Sequence, residues 1–290
     1  MNNTLENLPP LKDVLQKHDL FAKKSLGQHF LLDLNLTDKI ARLAAPHEMV
    51  IEVGPGPGGL TRSLLMAGAE RVIAIEKDER FLPALQDIVS VADARLHIIN
   101  EDALRTDPAN LSDIRPLRIC ANLPYNVGTK LLINWLTAAP PFWDRLVLML
   151  QKEVAERVVA TPGNKAYGRL AVLAGSIAHG HISFDIPASA FTPPPKVDSA
   201  VIVLDILPEN KRFGDLKLLG QITAGAFGQR RKMLRKSLKP LAKTHSIDLN
   251  DWLTKANIDP TARPETIDIA GFHRLAQSLT SFNQPLDKRA

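Results

Sequence analysis

Two short stretches of this chain combine residue types that can do chemistry together. Asn122-Leu123-Pro124-Tyr125 brings an amide, a backbone carbonyl, a proline and an aromatic ring into four positions. The exocyclic amine of adenine is a poor nucleophile, because its lone pair is delocalised into the ring. The Asn122 side-chain oxygen and the Leu123 carbonyl can accept its N–H groups and favour a pyramidal nitrogen. Pro124 stiffens the turn that aims them, and Tyr125 offers a face on which a base can stack. Taken alone, the four residues also read as a strand-ending turn with a packed tyrosine.

The second stretch is Ile51-Glu52-Val53-Gly54-Pro55-Gly56-Pro57-Gly58-Gly59. Glycines let a backbone turn sharply and approach a ligand with no side chain between. Glu76 ends the next apolar run, where an acidic residue can hold ribose hydroxyls. Gly54, Gly56 and Gly59 also satisfy the G-x-G-x-x-G spacing of dinucleotide enzymes. That reading needs backbone N–H groups aimed at a pyrophosphate, and Pro55 and Pro57 have none to offer. S-adenosylmethionine carries no phosphate, so the loop favours this methyl donor over a nicotinamide cofactor. Asp102 can accept from the donor's adenine amine, or serve as a helix cap or loop acid. Methyl transfer would then be a direct in-line displacement at the sulfonium methyl, with a neutral thioether leaving. Such a step asks for alignment and hydrogen bonding, and for no metal.

Two flanking segments are candidates to complete the site. Ser25-Leu26-Gly27-Gln28-His29-Phe30-Leu31 can fold over the cofactor as a lid, or begin an N-terminal helix. Phe191-Thr192-Pro193-Pro194-Pro195-Lys196-Val197-Asp198-Ser199 is stiffened by its prolines. Phe191 is expected there as a second wall against the target base, although a plain inter-strand loop has the same signature.

Alternating apolar runs and helical periodicities supply the elements that position these residues. Strands are expected over 49–53, 71–76, 96–100, 117–121 and 145–150, with later ones over 182–185 and 200–206. Helices are expected from residue 59, over 78–89 and over 168–178. This is an α/β pattern, a Rossmann-like domain with a mostly parallel sheet. After residue 207 only helices are expected, over 216–227, 230–241 and 272–279. The predicted organisation is a loosely ordered leader over 1–22, a catalytic domain over 23–207 and a small all-helical domain over 208–290.

Composition narrows the class further. The chain has 290 residues, 45% of them hydrophobic, enough for a sizeable core. No apolar run reaches a membrane span. The opening MNNTLENLPP lacks the basic start and apolar stretch of a secretory signal. The single cysteine, Cys120, cannot form an internal disulfide, which fits a reducing cytoplasm. It is expected as an inert buried thiol. The net charge of +5 is unevenly distributed. Residues 206–290 hold 15 Lys/Arg against 8 Asp/Glu, a balance of +7, which leaves −2 for the remainder. A polyanionic partner such as nucleic acid is implied. Arg230, Arg231, Lys232, Arg235 and Lys236 lie on a predicted amphipathic helix with Met233, Leu234 and Leu238 inward. Phosphate contacts from such a helix position RNA without reading its sequence. His179 and His181 share a strand face without further ligands at metal-site spacing. Trp135, Trp143 and Trp252 read as packing residues.

The motifs in combination resemble the bacterial small-subunit (16S) ribosomal RNA adenine dimethyltransferases, the KsgA/RsmA family. The likeness runs from about Lys23 to Leu279. It rests on residues 24–31, Glu52-Val53-Gly54-Pro55-Gly56, Asn122-Leu123-Pro124-Tyr125, residues 191–199 and Phe227-Gly228-Gln229-Arg230-Arg231-Lys232-Met233-Leu234-Arg235. The resemblance implies S-adenosylmethionine contacts at His29, Leu31, Gly54, Gly56, Glu76, Asp102 and Asn122, with His29 standing where relatives often carry asparagine. It further implies dimethylation of two adjacent adenines in a hairpin near the 3′ end of small-subunit rRNA. The partner would be an immature small ribosomal subunit, met by a cytoplasmic monomer. Two other readings are an adenine methyltransferase acting on large-subunit rRNA and a non-catalytic assembly factor. The intact Asn122–Tyr125 motif argues against the second.

Overall fold

A computed structural model describes residues 4–23, 27–229 and 231–283. Residues 4–22 of the expected leader form a packed segment rather than a loose one. A 3-10 turn at Leu5–Asn7 is followed by helix α1 (Leu11–Lys17), and Leu11, Val14 and Leu20 are buried. Leu11, Val14 and Leu15 recur at helical spacing and give this short helix an apolar stripe. Arg62 donates to the Pro9 carbonyl at 2.6 Å, and Lys17 and His18 both reach Asp87.

Strand β1 (Phe30–Leu31) leads into α2 (Leu34–Ala44), β2 (His47–Val53), α3 (Gly59–Met66) and β3 (Ala69–Ile75). Then come α4 (Leu82–Val89), β4 (Leu96–Ile99), β5 (Leu117–Asn122), α5 (Gly128–Leu136) and β6 (Trp143–Gln151). They are followed by α6 (Lys152–Val159), α7 (Arg169–Gly175), β7 (Ala178–Ile186), β8 (Phe191–Thr192) and β9 (Ser199–Ile206). The main sheet has seven strands in the order β4-β3-β2-β5-β6-β9-β7. The pairs β3–β4, β2–β3, β2–β5 and β5–β6 are parallel, and β9 runs antiparallel to β6. The helix expected over 168–178 is shorter, because Ala178 already begins β7.

Parallel central strands are covered on both faces, so they read as continuous apolar runs. Met49, Val50, Ile51 and Val53 of β2 are all buried; the polar exception, Glu52, is buried with them. The chain builds β2, β3 and β4 in one direction and returns to place β5 on the other side of β2. That reversal opens a crevice at the carboxyl ends of β2 and β5, where ligands bind in open α/β sheets. At the opposite edge, Arg118 and Arg145 donate to the carbonyls of Ala44 and Leu43, the last residues of α2. Their guanidinium groups also pair with Asp144 and Asp205, so the end of α2 is held without a glycine cap.

Two compact units emerge, and their boundary is not the single cut expected near residue 208. One unit contains the chain up to Asn134 with Pro140–Ala155 and Gly180–Ile206; the other contains Trp135–Ala139, Glu156–His179 and the chain from Leu207. The helical unit claims α7 because Ala171, Val172, Leu173 and Ala174 are buried and the helix packs on α8 (Leu216–Gly228). Tyr167, Phe227 and Phe272 form an aromatic cluster in this unit. The unit continues with α9 (Leu234–Ser237), α10 (Lys239–Thr244), α11 (Leu249–Lys255) and α12 (Ile269–Asn283). Trp252 is fully buried and donates to the Leu275 carbonyl at 2.9 Å.

The continuous amphipathic helix expected over 230–241 is not formed. Arg230 lies outside the described residues, and the following residues form a turn before the short helices α9 and α10. Pro240 stands in the first turn of α10, and its missing N–H cannot extend a helix begun earlier. Leu234 and Leu238 do face inward, whereas Met233 is 38% exposed on extended backbone. Arg231, Lys232, Arg235, Lys236 and Lys239 are exposed.

Candidate active site

A cavity of about 230 Å³ opens at the carboxyl ends of β2, β3 and β5, within the sheet-containing unit. His29, Leu31, Gly54, Gly56, Glu76, Asp102, Asn122, Leu123, Pro124 and Tyr125 all line it. Residues far apart in sequence are thus brought together: Asn122 Nδ2 donates to the His29 carbonyl, 93 positions away, at 3.4 Å.

The glycine loop leaves β2 with φ of +71° at Gly54, +54° at Gly56 and +85° at Gly58. These left-handed values favour glycine. At Gly58 a Cβ would also lie 2.3 Å from Ile88 Cδ1. The loop's N–H groups are already engaged. Gly54 donates to the Ile75 carbonyl at 2.9 Å, Gly58 to the Pro55 carbonyl at 3.0 Å, and Gly56 to Glu76 Oε2 at 3.0 Å. With prolines at 55 and 57, Gly54–Gly58 offers no donor array to a pyrophosphate. The charge of the lining agrees: it holds Glu76, Asp78, Glu101 and Asp102, with Lys77 as its lone Lys or Arg among the described residues. Such walls attract a cationic sulfonium and ammonium and repel phosphate.

Glu76 is buried and accepts from two backbone amides, Gly56 through Oε2 and Asp78 through Oε1 (2.7 Å). Burial raises its pKa, and the two amides oppose that shift. Asp102 lines the cavity and serves as a loop acid. Oδ1 accepts from the Leu104 amide at 3.0 Å and so shapes the loop, while Oδ2 pairs with Lys77 Nζ at 2.7 Å. The Lys77 hydrogen bond, then the Leu104 amide, hold its pKa below the usual carboxylate range.

The Asn122 motif follows β5 directly. The Leu123 amide donates to the Met149 carbonyl at 3.3 Å, which continues the β5–β6 ladder past the strand end. The Pro124 carbonyl accepts from Val127 and Gly128 and starts α5. Asn122 uses Nδ2 on His29, so Oδ1 is its acceptor toward the cavity. Tyr125 Oη bonds Ser199 Oγ at 2.7 Å, which fixes the ring and leaves its face as the usable part. His29 stands 5.5 Å from that ring at 31°, and its Nδ1 donates to the Pro193 carbonyl at 2.7 Å.

Phe191 does not join the cavity. In the β1–β8 pairing Leu31 is opposite Phe191, and the Phe191 ring is 3% exposed within the core cluster. The apolar ring is better satisfied in the core than at the mouth, so the second wall expected of it is not built. His179 and His181 are exposed, and Cys120 is buried with its thiol pKa pushed up by burial. Ser25 and Leu26 of the expected lid lie outside the described residues.

Glu52 was visible only as part of the loop motif, with no role of its own. It lines the cavity at 1% exposure, and Thr61 Oγ1 donates to its Oε2 at 2.6 Å. Burial raises its pKa to about 8, against the Thr61 hydrogen bond and helped by nearby Glu76. The unfolded chain loses this proton near pH 4.5 and the folded chain near 8. Folded protein therefore binds more protons across that window, and stability falls as pH rises through it. Glu52→Gln should remove this contribution, so that relative to wild type it gains on the order of a few kcal/mol between pH 5 and 8. Urea unfolding of both proteins at several pH values measures the difference.

A family model described as Ribosomal RNA adenine dimethylase matches residues 20–281. The chain belongs to this family. Ribosomal RNA small subunit methyltransferase A of Ruegeria sp. (strain TM1040) is 55% identical over 282 residues, 96% of this chain and 99% of that protein. The protein of the same name from Maricaulis maris (strain MCS10) is 55% identical over 278 residues, 95% of this chain and 96% of its own. Among solved structures, a dimethyladenosine transferase from Plasmodium falciparum shares the fold, with a TM-score of 0.71 and 24% identity over 88% of this chain and 98% of that one. The 23S rRNA methyltransferase ErmE gives a TM-score of 0.61 at 25% identity, over 87% of this chain and 99% of its own. The adenine dimethylase match covers the cavity, the Asn122 motif and the basic segment of the helical unit.

Proposed function

We propose that the chain is an S-adenosylmethionine-dependent methyltransferase that dimethylates the N6 amines of two adjacent adenines in small-subunit rRNA. The observation that carries this reading is the acidic cavity, its loop amides internally engaged, opening beside Asn122–Tyr125. Relatives at 55% identity named for the small subunit support that target more strongly than the 25% likeness to a 23S enzyme. The substrate in this reading is an assembling small ribosomal subunit, with the adenines in a hairpin near the rRNA 3′ end.

When bound, S-adenosylmethionine supplies an activated methyl group on a sulfonium whose departure leaves a neutral thioether. Each Glu76 oxygen keeps acceptor capacity beyond its amide bond and can take a ribose hydroxyl. In this reading Asp102 accepts from the cofactor's adenine amine, and His29 and Leu31 close the facing wall. Asn122 Oδ1 and the Leu123 carbonyl hold the target amine, and Tyr125 stacks on its base. These groups contribute orientation and hydrogen bonding. The target amine loses its proton to solvent after transfer, so no dedicated base is required.

Transfer of label from S-adenosylmethionine to unmethylated small subunits, with large subunits and naked DNA as controls, tests the substrate. Label confined to small subunits is expected; label on large subunits instead would move the target. The exposed cations Arg231, Lys232, Arg235 and Lys236 are assigned to phosphate contacts, as is Arg230. Arg235→Ala and Lys236→Ala together should weaken RNA binding alike on all sequences and reduce the salt slope by about 1 for each phosphate no longer neutralised. Binding isotherms at several salt concentrations measure it.

A further inference from the structure

We infer that Arg80 is a positioning residue that locks the cofactor cavity, holding Gln28 and the Glu76 turn in one arrangement through Asp78. The inference rests on the reading of the cavity as the S-adenosylmethionine site, and it assigns a function to a residue outside its lining.

Arg80 sits in the 3-10 turn Glu79–Phe81 that follows β3. Its Nε donates to Asp78 Oδ1 at 2.9 Å and its Nη2 to Asp78 Oδ2 at 2.6 Å, a two-point fork. The same guanidinium reaches Gln28 Oε1 at 3.4 Å through Nη2 and the Phe21 carbonyl at 3.2 Å through Nη1. It also lies 5.0 Å from the Phe21 ring. Asp78 in turn accepts from Gln28 Nε2 at 3.0 Å, and Gln28 Oε1 takes the Lys23 amide at 2.9 Å. One cation thus ties residues on both sides of 24–26 to the turn after β3.

The consequence for the cavity runs through backbone. The Asp78 amide donates to Glu76 Oε1, so the turn that Arg80 fixes is the turn that aims the Glu76 carboxylate. Gln28 precedes His29, whose carbonyl receives Asn122 Nδ2. Arg80 is therefore linked to the ribose acceptor on one side and to the catalytic asparagine on the other, while touching neither. The pair is well suited to this: the Asp78 side chain is 8% exposed and that of Arg80 25%. Arg80 is also the largest contributor holding the Asp78 pKa at about 2, so the carboxylate stays charged throughout the working pH range. A lysine could pair with Asp78 as a point charge, but it lacks the planar fork needed to reach Gln28 and Phe21 as well.

The test measures S-adenosylhomocysteine binding by calorimetry for wild type, Arg80→Leu and Arg80→Lys. It adds amide hydrogen exchange and steady-state kinetics in the cofactor. For Arg80→Leu the expected result is about 10-fold weaker binding. KM for the cofactor should rise by a larger factor than kcat at saturation falls. Exchange should speed up at the Gly56 and Asp78 amides and not in the helical unit. Arg80→Lys should recover part of the affinity. Wild-type affinity and unchanged exchange in Arg80→Leu would overturn the inference. If Arg80→Leu fails to fold, Arg80→Lys decides: severalfold weaker binding at an unchanged Tm supports it, and unchanged binding overturns it. Failure of wild type itself to bind S-adenosylhomocysteine would instead overturn the reading of the cavity.

Discussion

Asn122→Ala is expected to lower methyl transfer by at least about 100-fold while leaving RNA binding intact, the scale found when one preorganised hydrogen-bonding group is removed from an active site. The loss follows from position. Asn122 ends β5, its Nδ2 is committed to the His29 carbonyl, and its Oδ1 is the acceptor left for the target amine. Alanine removes that acceptor and also releases the His29 segment. Asn122→Asp is not a rescue. It restores an acceptor but sets a carboxylate oxygen against the His29 carbonyl, where a donor now stands. Single-turnover transfer alongside RNA-binding isotherms separates the effects. Equal loss of binding and transfer would contradict the assigned role.

Glu76 provides the second large effect, through an argument that makes glutamine a severe substitution. Both carboxylate oxygens accept a backbone N–H, from Gly56 and from Asp78. A glutamine has a single acceptor end, so its NH2 must face one of those donors whichever way it turns. The mismatched amide loses its partner, the glycine loop loosens, and the proposed ribose acceptor disappears. Glu76→Gln should therefore weaken cofactor binding by about 10- to 100-fold, the range for losing hydrogen bonds to a charged group. Calorimetry with S-adenosylhomocysteine measures it. Affinity within twofold of wild type would show that Glu76 is merely a loop brace.

The sequence was most legible where the cavity residues form short runs in the chain. The glycine loop, Glu76 and Asn122–Tyr125 each stand at a strand end, and parallel pairing of β2, β3 and β5 forces those ends to one edge. What it hid was made by contacts distant in sequence. Gln28, Asp78 and Arg80 carry no shared motif, and only the fold brings residue 28 beside residue 78. Phe191 looked available because an aromatic before prolines suggests an exposed loop; pairing with β1 turned it into the core instead. The basic helix over 230–241 is interrupted by extended backbone at Met233 and again near Pro240, where a periodic pattern continued but the backbone hydrogen bonding could not. Helix α1 escaped notice because seven residues are too few for periodicity to stand out.

In the function proposed, this cavity and the Asn122 motif together dimethylate adenine N6 in small-subunit rRNA. Its most direct test is digestion to nucleosides of small-subunit rRNA incubated with the protein and S-adenosylmethionine, followed by mass spectrometry. N6,N6-dimethyladenosine is expected with wild type and should be nearly absent with Asn122→Ala. Methyl groups on a ring nitrogen, a ribose or another base would contradict it.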